Sequence, residues 1–133
     1  PILFVCENNF IAQTTPSKQT LSGEINLRPK AFGISTYECY KYDILDISLI
    51  SKKAIDEVRE KRRPVFLEIG SVRLGPHSKG DDSRDKVLME KIKKLDPIIK
   101  IKKKLDNFSE IDEMCVRIID KTFEIVNKYD DAE

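Results

Sequence analysis

Every residue of Ile2-Leu3-Phe4-Val5-Cys6 is apolar, and a strand that is apolar on both faces has to be covered on both. This requirement constrains the fold more than any other stretch. A sheet with one wet face alternates polar and apolar residues instead. The run predicts a central strand of a parallel sheet over 2–6. Two more strands are predicted, at 35–39 and over Val65-Phe66-Leu67-Glu68-Ile69. Between them Asp43 is placed to N-cap a helix over 44–61. Within that helix Ile47, Ile50, Ala54 and Val58 recur at helical spacing, and Asp46, Lys52, Lys53, Asp56, Glu57 and Glu60 take the other face. Arg62-Arg63-Pro64 ends it. Strands alternating with helices imply parallel pairing with right-handed crossovers, so the fold class is α/β.

Two connections stand out. Polar residues from 7 to 22 predict a long loop without structure, a length that usually signals function. Ser22-Gly23-Glu24 then opens a short helix to Phe32 with Gly33 as its stop, and Pro29 inside it predicts bending or shortening. The second connection is Arg73-Leu74-Gly75-Pro76-His77-Ser78-Lys79-Gly80-Asp81-Asp82, which comes after the third strand and holds the only histidine. A loop leaving the C-terminal end of a parallel strand is where open α/β folds place their chemistry. On its own residues this loop also reads as a solvated connection, and both readings stand.

Beyond it, residues 85–95 predict a helix, and Asp96-Pro97 caps a shorter one reaching 105. Ser109 with Asp112 has the spacing of a capping box for a final helix to about Tyr129. Ile111, Met114, Cys115, Ile118 and Ile125 form one stripe of that helix, which Ile119, Phe123 and Val126 widen. The width predicts burial on two sides.

The 133 residues allow one modest core, and 35% charged residues fit a chain rich in surface helix. A net charge of +1 gives no global field for nucleic acid. Cys6, Cys39 and Cys115 are odd in number and widely spaced. That pattern predicts reduced thiols of a cytoplasmic or organelle-matrix protein rather than a disulfide or zinc framework. No apolar run has the length of a membrane span. The chain opens on a strand without a Met, which predicts a piece of something longer. Cys6 ends a strand as a phosphatase nucleophile does, but position 12 is Ala where such a loop has Arg, so Cys6 reads as a packed residue.

Taken in order, Val5-Cys6-Glu7-Asn8-Asn9, then Thr14-Thr15-Pro16, Ala31-Phe32-Gly33-Ile34 and the 73–82 loop form a pattern. It resembles the C-terminal half of the alpha subunit of thiamine-diphosphate-dependent 2-oxo acid dehydrogenases, the pyruvate, branched-chain and acetoin group. The resemblance runs from Pro1 to about Pro97. It implies a thiamine-diphosphate-binding α/β domain over 1–83 and a helical tail over 84–133 that packs on it. It also implies decarboxylation of a 2-oxo acid and acyl transfer to lipoamide. The expected partners are a beta subunit in an α2β2 assembly, the lipoyl domain of the acyltransferase, and the N-terminal half of the same subunit.

By the same resemblance, Asn9 supplies a side-chain oxygen and Ile11 a backbone carbonyl to the Mg²⁺ ion on the cofactor diphosphate. Arg73 and His77 bind the cofactor, and His77 assists acyl transfer. Ser78 matches a regulatory phosphorylation site, and Asp81 and Asp82 order the loop, with Arg73 and Asp81 expected to pair. The alternative for Asn8-Asn9 is a pair that caps the end of its strand. Departures are visible. Ile11 replaces an aromatic, Val72 a Tyr, and Lys41-Tyr42-Asp43 a Gly-Asn-Asp turn, while a Tyr-Arg pair is not evident at Ser83-Arg84-Asp85. No Gly-Asp-Gly, the family's carboxylate half of the metal site, occurs in the chain. The competing reading is therefore a non-catalytic remnant or an assembly partner.

Overall fold

In the computed structural model, which describes residues 1–130, the chain runs through five strands and six helices. The order is β1 (Leu3–Asn8), β2 (Ile11–Ala12), β3 (Thr15–Pro16), α1 (Ser17–Thr20), α2 (Leu27–Ala31), β4 (Ser35–Cys39), α3 (Ile44–Lys61), β5 (Val65–Gly70), α4 (Lys86–Lys93), α5 (Pro97–Lys102) and α6 (Phe108–Asp130). Two compact units divide between Ile101 and Lys102, so α4 and most of α5 fall in the unit that holds the sheet.

The α/β class and the parallel pairing are as expected. The sheet order is β1-β5-β4, with both pairings parallel. Among the described residues β5 is central, and β1 has a parallel neighbour on one side only, so nothing here pairs the other flank of the strand expected to be central. Phe4 and Val5 on β1 are accordingly 47% and 53% exposed. Apolar composition tells that a strand needs cover, whereas its place in the sheet is set by which strand crosses over to pair with it.

The core is small and sits where α3 crosses β5. Ala54, Val65 and Leu67 are buried, and Leu3, Tyr37, Ile50, Val58 and Ile69 pack against them. The helix bounds of α3 match the pattern, and Asp43 accepts a hydrogen bond from the Leu45 amide at 2.9 Å. It ends at Arg62, whose left-handed φ of 49° turns the chain before Pro64. On its outer side Glu57 accepts from the Tyr37 hydroxyl at 2.6 Å and from Lys61 at 3.1 Å.

Several local expectations need correction. The 7–22 stretch is not structureless, because β1 continues to Asn8 and a β2–β3 hairpin and α1 come next. The shortening expected of the helix before β4 is found, since it spans only Leu27–Ala31. Pro29 is its third residue, in the first turn, where a missing amide hydrogen loses no intrahelical bond. Gly33, at φ +71°, closes it: its amide donates to Lys30 O and the Ile34 amide to Pro29 O, a Schellman ending. The next two helices begin as expected, with Asp85 and Asp96 capping the Leu88 and Ile98 amides. The second stops at Lys102 rather than 105. The capping box at Ser109 does not form, since α6 has already begun at Phe108. Nor is α6 buried on two sides: Ile118 is 58% and Phe123 64% exposed. Periodicity shows that a helix has an apolar face, but it does not say what covers it.

Two consequences can be measured. A Cβ on Gly70 would lie 2.7 Å from Tyr40 Cδ1 and 3.2 Å from Tyr40 Cα. Gly70→Ala should therefore destabilise the sheet unit by about 1–3 kcal/mol in chemical denaturation, because the backbone of Tyr40 cannot simply rotate away. The second concerns acid. Hydrogen bonds from Tyr37 first, then Ser35 and Lys61, hold the Glu57 carboxyl down to about 2 from an ordinary 4.5. The stability this contributes is complete above about pH 4.5 and is lost as the pH falls through about 2. The melting-point gap between wild type and Glu57→Gln should hold above pH 4.5 and close toward pH 2.

Candidate functional site

Parallel pairing brings the ends of the strands to one edge of the sheet. Asn8 of β1 registers with Gly70 of β5, and Cys39 of β4 with Ile69. The connections over 9–16, 40–43 and 71–85 all leave from this edge.

At the end of β1 two asparagines fold the chain over. Asn8 donates through Nδ2 to Glu68 Oε1 at 2.7 Å, while its Oδ1 accepts from the Phe10 amide at 2.9 Å. Asn9 Oδ1 accepts from the Ile11 amide at 3.1 Å. These are successive turns in which a side chain imitates a backbone carbonyl. They hold Phe10 at φ 60°, a left-handed conformation unusual for an aromatic residue. Phe10 O then accepts from the Ser17 amide at 2.9 Å, and Gln13, at φ 58°, carries the turn between β2 and β3.

The loop after β5 meets this corner. Arg73 Nη1 donates to Gln13 O at 2.7 Å and Nε to Gly75 O at 3.1 Å. The expected pairing of Arg73 with Asp81 is absent, because its guanidinium is engaged by carbonyls. Arg84 is the cation that orders the acidic half of the loop. It grips Asp82 through Nε and Nη2, each at 2.7 Å, and donates to Arg73 O at 2.7 Å and Gly75 O at 2.8 Å. Its hydrogen bonds pull the Asp82 carboxyl down to about 2. Asp81 accepts from the Ser78 hydroxyl at 2.9 Å and lies 3.5 Å from His77 Nδ1. The Ser78 amide, more than any other group, lowers its pKa. The His77 side chain is 54% exposed, and among the described residues nothing bonds its other nitrogen.

Of the residues singled out from the sequence, Asn9 and Ile11 thus lie on one corner, and His77, Ser78 and Asp81 form one local group. Arg73 ties the two connections together. Three residues escaped the sequence pattern: Arg84, Glu68 and Tyr40. Arg84 comes close enough after the paired acids to have been suspected. Glu68 is the lone carboxylate inside an apolar run, and it is 2% exposed. Tyr40 packs on Gly70, with its ring 5.9 Å from that of Phe10. Burial first, and the nearby Glu68 carboxylate next, push the Tyr40 phenol far above its ordinary range. Burial also raises the Cys6 thiol, which argues against a thiolate nucleophile there.

The oxygens of Asn9 and Ile11 are the hard donors a Mg²⁺–diphosphate would take. Among the described residues, however, no group of three or more His, Cys, Asp or Glu side chains is placed to hold a metal. The two oxygens are right in kind for such an ion and too few in number to hold one by themselves.

Residues 1–131 match the family model described as "Dehydrogenase E1 component". The chain is 32% identical over 139 aligned residues to the 2-oxoisovalerate dehydrogenase subunit alpha of Bacillus subtilis (strain 168), covering 100% of this chain and 42% of that protein. It is 26% identical to the pyruvate dehydrogenase E1 component subunit alpha of Rickettsia conorii, covering 96% and 40%. The mitochondrial 2-oxoisovalerate dehydrogenase subunit alpha of Caenorhabditis elegans is 37% identical over 84 residues, covering 62% and 19%. The chain spans about two fifths of the first two relatives. It therefore belongs to the dehydrogenase E1 component family.

Proposed function

We propose that this chain is the part of an alpha subunit that holds the diphosphate end of thiamine diphosphate and presents a histidine to the acyl acceptor. The whole enzyme would decarboxylate a 2-oxo acid and transfer the acyl group to lipoamide. The observation that carries this reading is the 2.7 Å bond from Arg73 to Gln13 O. It joins the corner bearing Asn9 and Ile11 to the loop bearing His77, so that oxygen donors and a titratable ring belong to one edge of a parallel sheet.

In this reading Asn9 Oδ1 and the Ile11 carbonyl are two of the ligands of a Mg²⁺ bound to the diphosphate, and Arg73 adds positive charge beside it. The carboxylate ligand comes from the N-terminal half of the subunit, and a beta subunit closes the other end of the cofactor. Thiamine diphosphate, when bound, supplies the electron sink that decarboxylation requires. This chain's residues bind, orient and move a proton. His77 Nδ1 lies 3.5 Å from Asp81 Oδ2, which leaves Nε2 as the ring nitrogen to exchange a proton with the lipoyl sulfur. Ser78 is the candidate phosphorylation site. A phosphate there would replace its bond to Asp81 by repulsion between two anions, unfastening the loop where the lipoyl domain docks. Nucleic acid and membrane have no part in this reading, and no helix among the described residues is long and apolar enough to cross a membrane. The location that goes with it is the cytoplasm, or the mitochondrial matrix in a eukaryote.

The chain alone should not bind thiamine diphosphate with Mg²⁺ measurably, since two oxygens cannot replace the missing carboxylate and the missing subunit wall. Calorimetric titration giving micromolar affinity for the isolated chain would sink this division of the site. In the assembled enzyme, His77→Ala should slow acyl transfer to lipoamide by roughly 10²–10⁴ while decarboxylation, followed with an artificial electron acceptor, changes far less. Equal losses in the two assays would assign His77 to cofactor binding instead.

A further inference from the structure

Glu68 is a polar side chain at a core position that apolar packing would fill. It sits on β5 between Leu67 and Ile69, and a burial of all but 2% makes a carboxylate expensive there. Its Oε2 has no hydrogen-bond partner at bonding geometry. Its Oε1 accepts from the Asn8 amide at 2.7 Å, with the Tyr40 phenol close by. An aliphatic side chain would serve the core better. What the carboxylate does is decide which way the Asn8 amide points. With Nδ2 drawn to Glu68, Oδ1 must face the Phe10 amide, from which it accepts at 2.9 Å. If the amide turned over, its nitrogen would face another donor and this turn would open. The left-handed φ of 60° at Phe10 depends on the same bond. Phe10 lies between Asn9 and Ile11, so its conformation sets where their two oxygens point relative to each other.

We propose that Glu68 is a positioning residue, which acts through Asn8 to hold the Asn9 side-chain oxygen and the Ile11 carbonyl in register for a shared metal–diphosphate. The proposal rests on the reading of Asn9 and Ile11 as metal ligands and adds a residue that neither touches the ligand nor belongs to the motif. Glu68 stands to this site as the outer carboxylates that orient metal-bound histidines stand to theirs.

The test compares Glu68→Met, which keeps the volume and removes the acceptor, with Glu68→Gln, which keeps an oxygen for Asn8. Val65→Ala serves as a control for lost stability, since Val65 is fully buried in the core away from the corner. In the 133-residue chain, without any ligand, amide hydrogen exchange at Phe10 should quicken roughly fivefold or more in Glu68→Met relative to the Val65→Ala control, as the loss of one hydrogen bond implies. Glu68→Gln should stay near wild type. In the full subunit assembled with its beta subunit, the Kd for thiamine diphosphate with Mg²⁺ should weaken about tenfold or more in Glu68→Met, and recover in Glu68→Gln. Unchanged exchange at Phe10 in Glu68→Met overturns the proposal, as does faster exchange with an unaltered Kd. A wild-type assembly that binds no cofactor would instead refute the assignment of Asn9 and Ile11, a result that the exchange measurement does not depend on.

Discussion

The 2.7 Å hydrogen bond between Asn8 and Glu68 joins β1 to β5 by side chains at the place where both strands end. The path of the chain beyond Asn8 depends on it. Backbone pairing alone would align the two strands, yet it would leave the next residues free to depart in any allowed direction. The side-chain bond removes that freedom. It orients an amide whose other end organises the next turn, and that turn leads into the hairpin Ile11–Ala12 with Thr15–Pro16. A short segment with two left-handed residues, Phe10 and Gln13, is in this way held at both ends. Asn8 holds one end, and the Arg73 guanidinium on Gln13 O holds the other.

The loop after β5 is ordered by different means. It has almost no apolar burial of its own, and its two glycines and proline give it shape rather than adhesion. Its order comes from Arg84, whose planar fork meets the Asp82 carboxylate with two bonds and still reaches two backbone carbonyls. A lysine, with a single point of charge, could not make this set. His77 and Ser78 are carried on a scaffold of hydrogen bonds and ion pairs, which salt weakens more than it weakens apolar packing. The sheet below, packed by Val65, Leu67 and Ala54, is insulated from such changes.

The two regions therefore differ in what a substitution does. Changes at Gly70 or Val65 act through packing and are felt as stability. Changes at Glu68, Arg73 or Arg84 act through direction, since each of these side chains aims a carbonyl or an amide of another segment. The exposed apolar face of α6 belongs to neither class, because nothing within that helix shows what covers it.

Strand and helix identities were legible because they depend on neighbours in sequence. The strands at 35–39 and 65–69, the cap at Asp43 and the helix to Lys61 all emerge from local spacing. The family was legible for a related reason: Asn8-Asn9 and the Arg73 to Asp82 loop are contiguous signatures, read without knowing what they touch. The sheet order was not legible, since β5 comes last and inserts between β1 and β4. The hairpin over 11–16 was missed because its geometry comes from side chains acting as backbone, with strands too short to show a pattern. Arg73 was matched to the wrong partner, and Arg84 and Glu68 were passed over, because their partners lie across space. Gln13 is 60 residues from Arg73, and Asn8 is 60 from Glu68. A sequence states which groups need partners; only folding decides which of them meet, because that choice is made by strand register and by the cost of leaving a buried polar group unpaired.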